Sequence, residues 1–363
     1  MTKKNKIEDL EDASFYADDS NETPPADIVA YNELRSCADL FRMHDDGVLE
    51  IQPDFQRDIV WNSPSQTRFI DSLIKQLPIP SMCFSFDYKT DKWMVIDGLQ
   101  RISTIIRFLK GGDWKLSVLE DINQDISGKS VAALKDKNDP HHHYYKRVQN
   151  LTIPVTVLRC DFSKTDHMEY LFTIFHRLNS GGAKLNNQEI RNCIYGGKFN
   201  LLLRALDQNA SWRRINKMKS GENYRLTKQE LVLRFFTFVD KYKKYDGRLS
   251  KFLNSYMQDN RDLSDKDQQL KKEIFDRTVS VIDRKIFSSK SPPKTSITLL
   301  EALLVGVAKN IDLIEAMNDV EVRARYKDLV NNPAFSDELI REGLSKRLRV
   351  INRFDAAIKI FSA

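Results

Sequence analysis

Trp93-Met94-Val95-Ile96-Asp97-Gly98-Leu99-Gln100-Arg101-Ile102-Ser103-Thr104 is the stretch whose reading decides the fold. A short apolar run ends in Asp-Gly, and Gln-Arg then opens a helix. Ile102, Ile105, Ile106 and Leu109 repeat at i, i+3, i+4 and i+7, the spacing of one helical face. Gly111-Gly112 ends that helix, because glycine takes the left-handed cap conformation without penalty. The pattern therefore predicts a strand, a tight turn and a helix, with Asp97, Gln100 and Arg101 beside first-turn amides that lack intrahelical acceptors. Such a junction suits an anion, above all a phosphate.

Two readings of this junction stand side by side. In the functional one, Arg101 contacts phosphate through its planar fork, Gly98 allows close backbone approach, and Asp97 holds a metal ion or orients a nucleophile. In the structural one, Asp97 caps the helix and Arg101 is solvated, since Asp-Gly turns are common.

Working outward, Asn62-Ser63-Pro64 opens a helix carrying Phe69, Ile70, Leu73, Ile74 and Leu77, ended by Pro78 and Pro80. Met82–Phe86 and Lys92–Ile96 read as strands joined by a polar hairpin. Residues 111–150 read as an irregular polar insertion. Leu151–Leu158 reads as a further strand, at an edge or bulged because of Pro154. A helix follows over Asp166–Leu178, and Asn186 with Glu189 resembles a capping box for the next one. Beyond about residue 200 strand signals nearly vanish. Thr227-Lys228-Gln229-Glu230 reads as a capping box; helices are expected over Ser264–Phe287 (with Leu270, Ile274, Ile282 and Ile286 apolar), Leu299–Val307 and Asp337–Phe361. The expected fold class is α+β, organised as a flexible acidic tail (1–26), a mixed α/β domain (27–200) and an all-helical domain (201–363).

Composition narrows the function classes. The 363 residues carry 57 Lys and Arg against 51 Asp and Glu, a formal charge of +6. That balance permits contact with nucleic acid without requiring it. No apolar run approaches the roughly 20 residues of a membrane helix, and Met1-Thr2-Lys3-Lys4-Asn5-Lys6 leads into acidic residues, so a cytoplasmic location is expected. Cys37, Cys83, Cys160 and Cys193 are scattered, which suggests buried free thiols. Gly128-Lys129-Ser130 mimics the end of a P-loop, but residue 123 is Asn where Gly is required. His141-His142-His143 reads as a solvated loop. No histidine follows His176, so a His-Asn-His nuclease cannot lie in the helical half.

Two further segments accompany the central one. Gln52–Trp61 places Arg57 beside an aromatic and ahead of a helix start, where it covers a nucleotide or simply pairs at the surface. Phe175–Leu185 places Asn179 and two glycines after a helix, either as an anion-binding nest or as an ordinary C-cap and turn. Phe55-Gln56-Arg57 with Val60-Trp61, Ile96–Arg101 with Thr104, and Phe175, Arg177-Leu178-Asn179 with Gly182 and Leu185 together resemble the GmrS-type domain. That domain is the N-terminal part of GmrSD modification-dependent restriction enzymes. The resemblance covers roughly residues 30–260, including Leu226–Asn254.

The resemblance implies a ParB/sulfiredoxin-like fold joined to helices, nucleotide binding and hydrolysis, and a role in phage defence. By position it implies a nucleotide site of Asp97, Gly98, Gln100, Arg101 and Thr104, closed by Arg57 and faced by Asn179. The implied cofactors are Mg2+, held by Asp97, and a nucleoside triphosphate, with Gln100 orienting water and Arg101 completing the catalytic set. The expected function is a nucleotide-binding, NTP-hydrolysing module of an anti-phage or DNA restriction system. DNA would be held by Arg213, Arg214, Lys217 and Lys219, and a separate nuclease subunit would be a partner. Leu99 stands where the family has Gln, which removes one polar contact and weighs against hydrolysis more than binding. Sulfiredoxin activity is not expected, because no Cys stands at the required position. The alternatives are a non-catalytic DNA-binding or regulatory subunit sensing modified DNA, and a metal-dependent nicking endonuclease that needs no NTP.

Overall fold

Apolar alternation and helical periodicity resolve, in the computed structural model, into five strands and a long series of helices. The structure describes residues 25–51, 61–178, 185–218, 227–290, 292–293, 295–335 and 346–362. It divides into two compact units, the first ending at Leu185 and the second beginning at Asn186; the sequence reading put this division at residue 200. Among the described residues no helix is long and apolar enough to cross a membrane.

The first unit contains β1 (Val29–Ser36), α1 (Cys37–Asp45), β2 (Leu49–Glu50), α2 (Ser63–Ile74), β3 (Met82–Asp87), β4 (Lys92–Asp97), α3 (Leu99–Lys110), α4 (Val131–Lys135), α5 (His142–Asn150), β5 (Thr152–Cys160) and α6 (Thr165–Leu178). The sheet order is β1-β5-β3-β4-β2. β3 and β4 form the expected antiparallel hairpin, β3 and β5 run parallel, β1 lies antiparallel to β5, and β2 parallel to β4. The stripe Ile102, Ile105, Ile106 and Leu109 is buried in a core shared with Phe84, Val95, Val155 and Val157. Each such side chain contributes roughly 1.5–3 kcal/mol when fully buried.

Several expectations are corrected here. β5 is not an edge strand, since β1 and β3 flank it. Pairing with β3 begins at Val155, one residue past Pro154, so the missing N–H falls where β3 has not yet started. Residues 111–150 are not an irregular insertion: α4 and α5 lie in them, and Trp114, Leu116, Ile126, Leu134 and Val148 join the core. Their spacing is too broken by polar residues for a periodic signal. The histidine run is no loop either; His142 and His143 open α5, with Nδ1 atoms near the carbonyls of Leu134 and Pro140. α2 starts at the expected Asn62 cap but ends at Ile74, leaving Leu77 half-exposed outside it. β1 and α1 carried no recognised signal; β1 is largely exposed, so it lacks the alternation of a half-buried strand.

The second unit contains α7 (Asn187–Ile194), α8 (Lys198–Asp207), α9 (Ala210–Ile215), α10 (Thr227–Lys241), α11 (Leu249–Asp259), α12 (Asp265–Val281), α13 (Ile297–Lys309), α14 (Ile311–Ala316), α15 (Asp319–Val330) and α16 (Arg347–Ser362), and no strand among the described residues. The Asn186–Glu189 capping box closes reciprocally, with bonds of 2.9 and 2.6 Å. The Thr227–Glu230 capping box rests on a side chain outside the described residues, but Glu230 has a further role. Its carboxylate is buried, accepting from Arg191 at 3.2 Å through one oxygen and from Arg234 through the other. Arg191 is fully buried and also donates to Asn254 at 2.8 Å and Ser250 at 3.2 Å. This network ties α7, α10 and α11 together by charge rather than by apolar contact alone. The side chain of Thr227 and residues 336–345 lie outside the described residues. Leu270 is exposed rather than apolar-face, because α12 is mostly a surface helix that buries Phe275, Thr278, Val279 and Val281.

Candidate functional site at the strand–turn–helix junction

Gly98 makes the junction. Its φ of 96° lies in the left-handed region, and an added Cβ would sit 2.6 Å from Met82 Cγ. Only glycine satisfies both limits. The first intrahelical bond of α3 runs from Ile102 N to Gly98 O at 2.9 Å, and no side chain caps the helix. The amides of the first turn thus have no acceptor inside the helix, and the positive end of its dipole lies beside Asp97.

The structural reading of Arg101 needs correction: the guanidinium is not solvated but is engaged by protein acceptors. Nη2 donates to Asp97 Oδ2 at 2.8 Å, and Nη1 donates to the Pro80 carbonyl, with longer contacts to the Ser81 carbonyl at 3.4 Å. Continuing the β3–β5 register by one residue places Ser81 beside Pro154, which has no N–H to offer. Arg101 supplies donors where the sheet lacks one. Asp97 is not the helix cap; that position belongs to Gly98. The Asp97 side chain remains 43% exposed and its Oδ1 has no hydrogen bond among the described residues.

Gln100 accepts from Trp61 N at 2.8 Å, which pins the approach to α2 against the start of α3. Thr104 is fully buried, and its hydroxyl donates to Gln100 O at 2.7 Å. It supports the helix from inside and touches no open surface. Arg57 and Asn179 lie outside the described residues.

A polar row that the sequence reading missed runs from this junction across the sheet. Asp97 pairs with Cys83 across a β-bulge, Cys83 with Thr156, and Thr156 with Asn32. Thr156 donates to Asn32 Oδ1 at 2.8 Å and its Oγ1 lies 3.2 Å from Ser81 Oγ. The four positions are far apart in sequence, and only strand pairing makes them neighbours. Burial, reinforced by Asp97, pushes the Cys83 thiol up to about 12, so it is no nucleophile at neutral pH. All four cysteines are free and buried, as expected.

Among the described residues no cluster of three His, Cys, Asp or Glu could enclose a metal. A lone exposed carboxylate does suit Mg2+, which usually takes one or two carboxylates plus substrate phosphates and water. In the second unit, Arg214 is tied to Asp283, Arg213 lies 3.4 Å from Gln208 Oε1, Lys217 is exposed and unpaired among the described residues, and Lys219 lies outside them.

The fold and this junction define an α+β domain with an uncapped helix start and an exposed carboxylate at one end of a mixed sheet. Residues 37–196 match the family described as the GmrSD restriction endonuclease, N-terminal domain. The match runs through α7, the first helix of the second unit. No curated protein and no solved structure matches the chain.

Proposed function

We propose that this chain is the nucleotide-binding module of a DNA restriction system, built on a ParB/sulfiredoxin-like fold. The carrying observation is the Gly98 junction inside the matched family segment: a helix start with no side-chain cap beside a partly exposed Asp97. The amides of α3 and the helix dipole would receive the phosphates. Asp97 would hold Mg2+, which when bound supplies charge neutralisation at the phosphate oxygens. Gln100 would fix the Trp61 segment against the site, and Arg57 and Asn179 would complete it as the resemblance implies. Arg101 acts as a positioning residue: it holds Asp97 and the entry to β3 in place. DNA would be contacted through basic side chains of the helical unit, and strand cleavage would belong to a separate nuclease subunit.

One observation favours a second reading, in which nucleotide is bound without turnover. The only described arginine at the junction, Arg101, is committed to protein acceptors, so among the described residues no free guanidinium meets charge developing in a transition state there.

The test is NTP binding and Mg2+-dependent phosphate release by the full chain, Asp97→Ala and Arg101→Lys. Release by the parent protein that Asp97→Ala abolishes supports hydrolysis at this junction. Binding without release supports the second reading. Absence of both, with the protein folded, refutes the nucleotide site altogether.

A further inference from the structure

The helical unit holds a cavity of about 140 Å³ whose lining includes Ile215 at the end of α9, Lys217 beyond it, Lys228 and Leu231 of α10, Phe287, and Leu300 of α13. Its size is close to the roughly 150 Å³ of a core cavity that admits benzene. Ile215, Leu231, Phe287 and Leu300 are all buried, so the walls offer an apolar surface to a flat ring. Asn216, Thr295 and two ammonium groups break this apolar lining. Neither Lys217 nor Lys228 has a hydrogen bond or ion pair among the described residues.

Lys228 is the informative one. Burial pushes its pKa down, with the Asp207 charge only partly opposing this. Asp207 is itself largely buried, and its Oδ1 accepts from Trp212 Nε1 at 3.2 Å. Lys228 is half-buried and lines the cavity, so an anion seated there would meet its ammonium. Lys217 adopts a φ of 54°, a position usually left to Gly or Asn at the end of a helix, and it brings a second positive charge to the rim.

We propose that this cavity binds one six-membered aromatic or heteroaromatic ring carrying a phosphate or carboxylate, the ring against Phe287 and Leu300 and the anion on Lys228 and Lys217. The site is independent of the β4–α3 junction and of any nucleotide bound there. The ligand is either a free small anion or a pyrimidine nucleotide, which share this chemistry.

The experiment is calorimetric titration of the full chain with phenyl phosphate, with inorganic phosphate and phenol as halves of the probe and thymidine 5′-monophosphate as competitor. Saturable binding of phenyl phosphate is expected, weakened at least about tenfold in Lys228→Met and restored in Lys228→Arg. Lys217→Met, at an exposed position where folding is not at stake, should weaken it as well. Competition by thymidine monophosphate identifies a nucleotide as the source, and its failure identifies a free anion. The proposal is overturned if phenyl phosphate does not bind saturably, if inorganic phosphate or phenol alone binds as well, or if both methionine variants bind like the parent.

Discussion

Gly98→Ala is the sharpest test of how the junction is built. Two separable costs are written into its geometry. An L-residue forced to φ 96° loses about 1–2 kcal/mol. The new Cβ, 2.6 Å from Met82 Cγ, adds the overpacking cost of about 1–3 kcal/mol, because Met82 is fully buried and has little room to move. The sum is about 2–5 kcal/mol. Gly112→Ala is the matched control: its φ is 89°, and nothing lies within 4 Å of the added Cβ, so only the conformational cost remains. Urea unfolding of the full chain, read by fluorescence, would give both values and the double variant Met82→Ala/Gly98→Ala. The reasoning requires Gly98→Ala to cost more than Gly112→Ala, and requires part of that excess to vanish when Met82 is shortened. Equal costs for the two glycines, or no relief in the Met82→Ala background, would refute the steric account of why Gly98 stands at the head of α3.

Acid should loosen the first unit. Lys164 and His167 hold the Asp27 carboxyl down at about 2, and for Asp161 the Lys89 ammonium and Ser163 outweigh the opposing effect of burial, also giving about 2. A carboxyl lowered from its ordinary 3.8 stabilises the fold above that value, and the contribution disappears as pH falls through about 2. Asp27→Asn and Asp161→Asn should therefore flatten stability between these limits, and an unchanged acid-unfolding midpoint in both would contradict it. In the helical unit, Arg191→Met should cost about 3–5 kcal/mol in denaturant unfolding, because it removes the buried donor of Asn254 and Ser250 and leaves Glu230 with Arg234 alone of its two arginines. The double variant Arg191→Met/Glu230→Gln should recover part of that loss. A cost below about 1 kcal/mol for the single change would show that the network is not what joins α7 to α10.

The junction itself was legible in one dimension because its determinants are local. An apolar run, Asp-Gly and a stripe at Ile102, Ile105, Ile106 and Leu109 specify strand, turn and helix without help from distant residues. The Asn62 and Asn186 caps were readable for the same reason, since a capping bond spans only three residues. The region 111–150 was not legible: its helices are short, and their apolar residues gain meaning only by filling a core whose other walls lie elsewhere in the chain.

By itself, then, the sequence determined the α+β class, the β3–β4 hairpin, the α3 junction and the predominantly helical second half, all consequences of periodicity and short-range hydrogen bonding. Tertiary structure decided which protein groups the side chains at the junction meet. Whether Arg101 meets a ligand or the carbonyls of Pro80 and Ser81 depends on where β3 begins beside Pro154. That Glu230 meets Arg191 depends on how α7 packs on α10. The row Asp97, Cys83, Thr156 and Asn32 exists only once four strands are in register. A side chain's partner is set by distance in space, and pairing of strands and packing of helices is what converts remote positions into neighbours.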